Sequence, residues 1–277
     1  MKIYISADME GISGVVHREQ LVSGTSDYER ARKLMTQEVN SAIEGALEAG
    51  ATEILVNDGH GSMRNIIIED LNPEARLVTG YPKPMVMMEG IDSSYDGAIF
   101  IGYHNLAGGK GVLAHTMSGF TFKYIKINGV EFGETELNGA LAGYFGVPVL
   151  AVSGDNYLYE EVSKFFQDVE YAEVKKVCGT YAADCLHPEK ARKLIKEKVK
   201  SAILNKKKSK PFTIEGPIEL EVALNKPAFA DIVSMIPGAV RISSEIITYK
   251  ADNIYETLKM ITTMMNASSI FMTDIYK

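Results

Sequence analysis

The chain has 277 residues, 46% of them hydrophobic and 23% charged, which is enough for a large core in one or two domains. A formal charge of -7 and a pI near 5.4 argue against general nucleic-acid binding, which wants a basic face. No apolar run reaches the ~18 residues of a membrane span, and the start of the chain reads as a strand bearing acids rather than a signal peptide. The two cysteines, Cys178 and Cys185, fit no zinc or redox spacing and no secreted disulfide framework, so the expected compartment is the cytoplasm.

Residues 3–7 form an apolar run that reads as a buried strand, and Asp8 and Glu10 follow it directly, before Gly11 and Gly14 open a loop. Residues two apart on an extended chain point to the same side, so the two carboxylates project together. Side by side, they repel unless a cation or a shared proton joins them. Ser26 or Asp27 is placed to cap a helix whose apolar positions recur from Tyr28 to Leu47, with Gly50 as its stop. A strand over 53–57 then ends in Asp58-Gly59-His60-Gly61, completing a strand–helix–strand unit of a parallel sheet.

A short helix is expected over 65–71, a strand over 75–79 and a helical stretch over 85–90. The next strong strand, 97–103, has His104 at its end. A glycine-rich loop from Gly108 to Gly111 leads to His115. Residues 120–132 read as a hairpin turning at Asn128-Gly129, and a helix runs from Thr135 to Tyr144. Residues 147–153 form the fourth apolar strand, ending in Gly154-Asp155. In an open parallel sheet ligands bind beyond the carboxyl ends of the strands, and Asp8, Glu10, His60, His104 and Asp155 all fall at such ends.

Beyond residue 170 the pattern becomes α+β. A basic amphipathic helix is expected over 189–204, strands over 218–224, 243–249 and 269–275, and helices over 228–232 and 254–265, with the strands antiparallel. The expected organisation is an α/β domain over 1–170 with a parallel sheet and a site at its strand ends. A smaller α+β domain over 171–277 serves structure or oligomer assembly.

Five histidines occur. His17 and His187 sit in polar surroundings, whereas His60, His104 and His115 stand at strand ends or in a glycine-flanked loop. One such histidine alone is ordinarily a hydrogen-bonded loop residue, but three together with Asp8 and Glu10 form a donor set suited to zinc or a related divalent ion. Glu134, at the first turn of a helix, is a common place for an acid and also the next carboxylate to add, with Glu131 and Glu136 as neighbours that could take its place. The zinc-protease helix motif H-E-x-x-H, the serine elbow G-x-S-x-G and the Walker loop are all absent.

Several motifs in order, Ser6-Ala7-Asp8-Met9-Glu10-Gly11, Asn57-Asp58-Gly59-His60, Gly102-Tyr103-His104, Gly111-Val112-Leu113-Ala114-His115-Thr116, Gly133-Glu134 with Leu137-Asn138, and Ser153-Gly154-Asp155, resemble the zinc-dependent D-aminopeptidases of the dipeptide-transport-protein type. The resemblance is close over residues 1 to about 155 and looser beyond. It implies two Zn2+ per subunit, another divalent transition metal being admissible. Asp8 would bridge them, Glu10 and His104 would complete one, His60 and Glu134 the other, and His115 would be the catalytic residue. Three carboxylates then nearly balance two divalent cations. The implied activity is removal of the N-terminal residue of short peptides, D-residues preferred, by metal-activated water, in a ring-shaped homo-oligomer such as a decamer, with no nucleic-acid or membrane partner. A proton-transfer or oxyanion-stabilising role suits His115 better than a nucleophilic one. Asp155 and Asp58 are candidate acceptors for the substrate ammonium, Asp58 being equally suited to orienting a ligand histidine. The competing readings are another two-metal amidase or a phosphoesterase, and a non-catalytic metal-dependent peptide-binding protein. The first would want clustered Arg or Lys for phosphate.

Overall fold

The structure is a computed structural model and describes residues 1–272. The strands in chain order are β1 (Lys2–Ala7), β2 (Glu53–Asp58), β3 (Ala75–Val78), β4 (Gly97–Ile101), β5 (Phe122–Ile127), β6 (Val130–Glu131), β7 (Val149–Asp155), β8 (Glu170–Gly179), β9 (Ala182–Cys185), β10 (Ile218–Leu224), β11 (Val240–Arg241) and β12 (Ile246–Ala251). The helices are α1 (Ser26–Glu48), α2 (Glu134–Tyr144), α3 (Asn156–Phe165), α4 (Pro188–Leu204), α5 (Pro227–Val233) and α6 (Ile254–Ser268).

A seven-stranded sheet runs β3-β2-β1-β4-β7-β8-β9. Every pairing from β3 to β8 is parallel, and only β9 returns antiparallel. The alternation of β1 sets the two faces: Ile3, Ile5 and Ala7 join the apolar layer of α1 and α4, while Tyr4 joins the opposite layer. A second sheet, β11-β12-β10-β5-β6, is antiparallel throughout, as expected for that region. Its inner residues Ile125, Leu220, Val222 and Ile247 belong to the same apolar cluster as Tyr4, Phe100, Leu137 and Leu258. The two sheets therefore share a core, with α2 and α6 between them.

The α/β architecture with its parallel sheet is as the sequence implied, and several details differ. The expected boundary after residue 170 falls at the first residue of β8, which pairs with β7, and α4 packs on the first sheet beside α1. The hairpin β5–β6, from well before that boundary, pairs with β10. Helix α3 and strands β8 and β9 were not foreseen: α3 buries only Leu158 and Val162, and β8 is interrupted by charged residues. The expected helix over 65–71 is a single 3-10 turn, Ile68–Asp70, and that over 85–90 is another, Val86–Met88. Thr25, not Ser26 or Asp27, caps α1, accepting from the Tyr28 amide at 3.0 Å. Of the expected last strand, Ser269–Met272 is a 3-10 turn, and the remainder lies outside the described residues. Among the described residues no helix is long and apolar enough to cross a membrane.

Candidate metal centre

β1 lies between β2 and β4, and the chain winds outward from it in opposite directions: β2 and β3 on one side, β4 and β7 on the other. Such a reversal opens a crevice at the carboxyl ends of the strands. Asp8 and Glu10 follow β1, His60 follows β2, and His104 follows β4, so four of the predicted ligands hang from three adjacent strands. The β1 loop is stitched to the β4 loop by Asp8 N–H to Ile101 O at 2.8 Å and Gly11 N–H to Gly102 O at 2.7 Å. That approach requires glycine twice. A Cβ on Gly102, whose φ is +73°, would overlap the Asp8 carbonyl, and a Cβ on Gly11 would overlap the Tyr103 carbonyl. Glu134 arrives from outside the sheet, as the first residue of α2.

These side chains meet. His60 Nδ1 lies 2.9 Å from Glu10 Oε2 and 3.3 Å from Asp8 Oδ1; His104 Nε2 lies 3.3 Å from Asp8 Oδ2 and 3.5 Å from Glu134 Oε2. His115 Nε2 stands 3.7 Å from Glu134 Oε1, its ring stacked on that of His104 with centroids 4.3 Å apart. Ligand atoms gather into three triads, Asp8–Glu10–His60, Asp8–His104–Glu134 and Glu10–His104–His115, each spanning no more than 4.8 Å. The expected pairing of Glu10 with His104 is among them. No triad among the described residues joins His60 to Glu134.

Each histidine has one ring nitrogen fixed by a backbone carbonyl. His60 Nε2–H donates to Leu21 O at 3.2 Å, His104 Nδ1–H to Asn105 O at 2.9 Å, and His115 Nδ1–H to Leu113 O at 3.0 Å. A carbonyl can only accept, so the other nitrogen of each ring faces the cluster, and loss of its proton exposes the lone pair a metal ligand needs. Asp8 Oδ2 and His104 Nε2 are buried without a hydrogen-bond partner. Unpartnered buried polar atoms are costly, and a cation between these two would satisfy both. The donor set therefore fits zinc.

Without a cation, protons on His60, His104 and Asp8 balance the cluster instead. Burial and the neighbouring Glu10 raise the Asp8 pKa to about 7. Burial pulls His104 down, but Glu134 and Asp8 outweigh it and hold its pKa at about 10. His60 is likewise raised well above its ordinary value, burial being overcome by Glu10 and Asp8. For Glu10 burial acts upward, but His60 lowers it well below the usual range.

Other expected residues sit elsewhere. Asp58 Oδ2 accepts from the amides of Asn65 and Ile66 (2.5 and 2.7 Å) and Oδ1 from Asn65 Nδ2 (2.7 Å). Asn65 Nδ2 also reaches His60 O at 2.6 Å, so Asp58 orders the His60 loop through Asn65 rather than touching the imidazole. Asp155 accepts from the Val112 amide at 2.8 Å and caps α3 through Tyr157 and Leu158, both at 3.0 Å. Glu136 Oε2 accepts from the Gly133 amide at 2.7 Å, and Glu131 is exposed on β6; Glu134 is the acid of that region that faces the cluster. His17 and His187 cap short and long helices through the amides of Glu19 and Glu189, each at 3.3 Å.

One supporting residue carried no sequence signal. Lys175 of β8 is 1% exposed, and its Nζ donates to the carbonyls of Glu10, Ile12 (3.1 Å) and Val15 (2.6 Å), strapping down the loop after β1. A lysine inside a strand reads as a surface position. Its burial follows only from the loop folding over it.

The cluster opens on a cavity of about 400 Å³, at the small end of the ~300–1,000 Å³ usual for small-molecule sites. Its walls include His115, Tyr81 and, from the end of α6 and the turn beyond, Met265, Asn266, Ser269 and Met272. Tyr81 Oη donates to Asn266 Oδ1 at 2.6 Å and ties that wall to the first sheet.

A buried set of carboxylates and lone-pair-bearing imidazoles beside a cavity of peptide size defines a metal-dependent hydrolase. The chain belongs to the D-aminopeptidase family, peptidase family M55, whose model matches residues 1–263. It is 38% identical over 265 residues to a D-aminopeptidase of Bacillus subtilis (strain 168), covering 95% of this chain and 96% of that protein. Among solved structures it is similar to the Zn-dependent D-aminopeptidase DppA from Bacillus subtilis, described as a self-compartmentalizing protease. The TM-score is 0.94 at 38% identity, over 97% of this chain and 98% of that one.

Proposed function

We propose that this protein is a two-zinc D-aminopeptidase that removes the N-terminal residue of short peptides. The observation that carries the reading is the triad geometry, with Asp8, Glu10 and His104 each shared between two of the three triads and each histidine turning one ring nitrogen to the carboxylates. Asp8, Glu10, His60, His104 and Glu134 would hold the metal, with Asp8 placed to serve both ions. Zinc held there supplies Lewis acidity, polarising a carbonyl and lowering the pKa of water toward ~7.

The chain's own residues do the rest. His115 keeps Nδ1–H on Leu113 O, so its Nε2 is the nitrogen free to exchange a proton; its side chain is 25% exposed and lines the cavity, within reach of a substrate. It takes a proton from the water that attacks the carbonyl and hands it to the leaving amine; while it holds that proton it also hydrogen-bonds the carbonyl oxygen as charge develops. Burial of Asp8, Glu10 and Glu134 keeps water from screening the charges that hold the site together. Among the described residues the cavity walls carry no lysine or arginine, which favours a neutral amide over a phosphoester.

We further propose a ring-shaped homo-oligomer enclosing the sites, working in the cytoplasm. The described self-compartmentalizing relative supports the assembly, and exposed Met235, Val240 and Ile242 around the edge strand β11 offer apolar surface for it. The free thiols Cys178 and Cys185 are consistent with a reducing compartment. The test is metal analysis joined to hydrolysis of paired D- and L-aminoacyl amides. The expected result is about two zinc ions per chain and D-selective cleavage. A His104→Ala variant that kept full metal content and full activity would remove the site assignment.

A further inference from the structure

We infer that the cavity beside the metal centre is a specificity pocket for an extended apolar side chain on the residue being removed, walled by methionines. This rests on the aminopeptidase reading above and adds to it the chemical class of the substrate. Five methionines that are scattered in the sequence converge on this one cavity: Met63, Met87, Met117, Met265 and Met272, joined by Val86. Met63 and Met87 are buried at 3% exposure, whereas Met272 is 47% exposed, so the apolar lining runs from the closed floor to the mouth. The ionisable groups Asp8, Glu10, His60, His115 and Glu134 form the metal wall, while the methionines are interleaved only with neutral polar residues such as Ser118, Thr121, Asn266 and Ser269.

The backbone is held against its preference to build this lining. Met63, Val86 and Met117 have φ of +57°, +50° and +58°, in the left-handed region that disfavours side chains with a Cβ. Such conformations persist where the surrounding structure imposes them, and they gather at ligand sites. Three apolar wall residues in that state at one cavity mark a built surface.

Methionine is unbranched and polarisable, and it adapts to apolar partners of differing shape. A wall of five suits a family of straight or lightly branched apolar side chains. The methionine side offers a charged side chain no ion pair, only neutral groups such as Ser118, Asn266 and Ser269.

The experiment uses the zinc-loaded full chain and a series of D-aminoacyl amides, from glycyl and alanyl through norvalyl, norleucyl and methionyl to lysyl and glutamyl. The expected kcat/KM rises roughly fourfold per added methylene, or about sixtyfold from alanyl to norleucyl. The lysyl and glutamyl amides fall below alanyl. A Met265→Glu variant is expected to lower the norleucyl-to-alanyl ratio about tenfold, through KM, with zinc content retained, while Met265→Leu keeps the ratio. A profile that is flat or peaks at glycyl or alanyl overturns the pocket while the aminopeptidase reading stands. Equal turnover of the charged amides does the same. Silence on every amide of either hand overturns the aminopeptidase reading and this inference with it. Should Met265→Glu fail to fold, the substrate series on the unaltered chain decides.

Discussion

Replacing Lys175 by methionine is expected to loosen the metal-side loop while leaving every proposed ligand in the sequence. Three hydrogen bonds leave the ammonium, to the carbonyls of Glu10, Ile12 and Val15. Bonds from a charged donor contribute about 1.5–3 kcal/mol each, so roughly 5–9 kcal/mol is at stake. Against this stands desolvation: burial lowers the Lys175 pKa from 10.5 to about 8, a cost of ~3 kcal/mol at neutral pH that a methionine does not carry. The net loss is roughly 2–6 kcal/mol. For a chain of this length about 2 °C of Tm accompanies each kcal/mol, giving a fall of about 4–12 °C in the metal-free protein. Freeing the Glu10 carbonyl also weakens zinc binding about tenfold, as losses of supporting contacts around metal ligands do. Thermal unfolding and competition against a chelator measure the two effects. A variant that melts with the parent and holds zinc as tightly would refute the strap.

Zinc uptake by the metal-free protein at pH 7 should release roughly two to three protons per chain, because His60 and His104 hold protons there, Asp8 with a pKa of about 7 is partly protonated, and all three must give up their protons to ligate. Calorimetry in buffers of different ionisation enthalpy counts them, and apparent affinity should climb as pH rises. Glu38→Gln tests a second buried acid. Glu38 is 2% exposed, accepts from the Ser13 amide at 2.9 Å, and burial raises its pKa from 4.5 to about 7. Between those values the native state binds the extra proton, so its stability falls as pH rises; the cost is fully present above pH 7 and absent below 4.5. The glutamine variant should therefore gain ~3 kcal/mol over the parent in urea unfolding above that range and nothing below it. Gly102→Ala should abolish zinc retention together with activity, since its Cβ would force the Asp8 carbonyl away; normal metal content in that variant would show the stitch between the two loops to be dispensable.

The strand ends were legible because apolar runs break abruptly into polar residues there, and burial on both faces leaves no other composition for β1, β2, β4 and β7. That gave Asp8, Glu10, His60 and His104 a shared edge before any coordinates. β8 stayed hidden because Glu173, Lys175 and Lys176 break its apolar pattern, and Lys175 owes its burial to a loop more than a hundred residues earlier in the chain. α3 stayed hidden because only two of its residues are buried, and Asp155, which looked like a crevice acid, is the cap that starts it. The expected domain boundary missed the exchange of β5 into the second sheet, a non-local pairing that no local pattern reports. The methionine lining was equally silent: Met63 and Met265 are brought together only by the packing of α6 on α2 and the second sheet and by the Tyr81–Asn266 bond.

The parallel pairing of β2, β1 and β4 acts as a ruler. Neighbouring strands sit about 4.8 Å apart, and their ladders are in continuous register where Ile3 to Ala7 meet both partners. Side chains released from three consecutive rungs of such a ladder arrive within a few ångströms of one another without any helix to space them. The spacing of Asp8, Glu10, His60 and His104 is thus inherited from the hydrogen-bond repeat of the sheet. Loops farther out can lengthen or change composition while that repeat, and the cage it measures out, stays fixed.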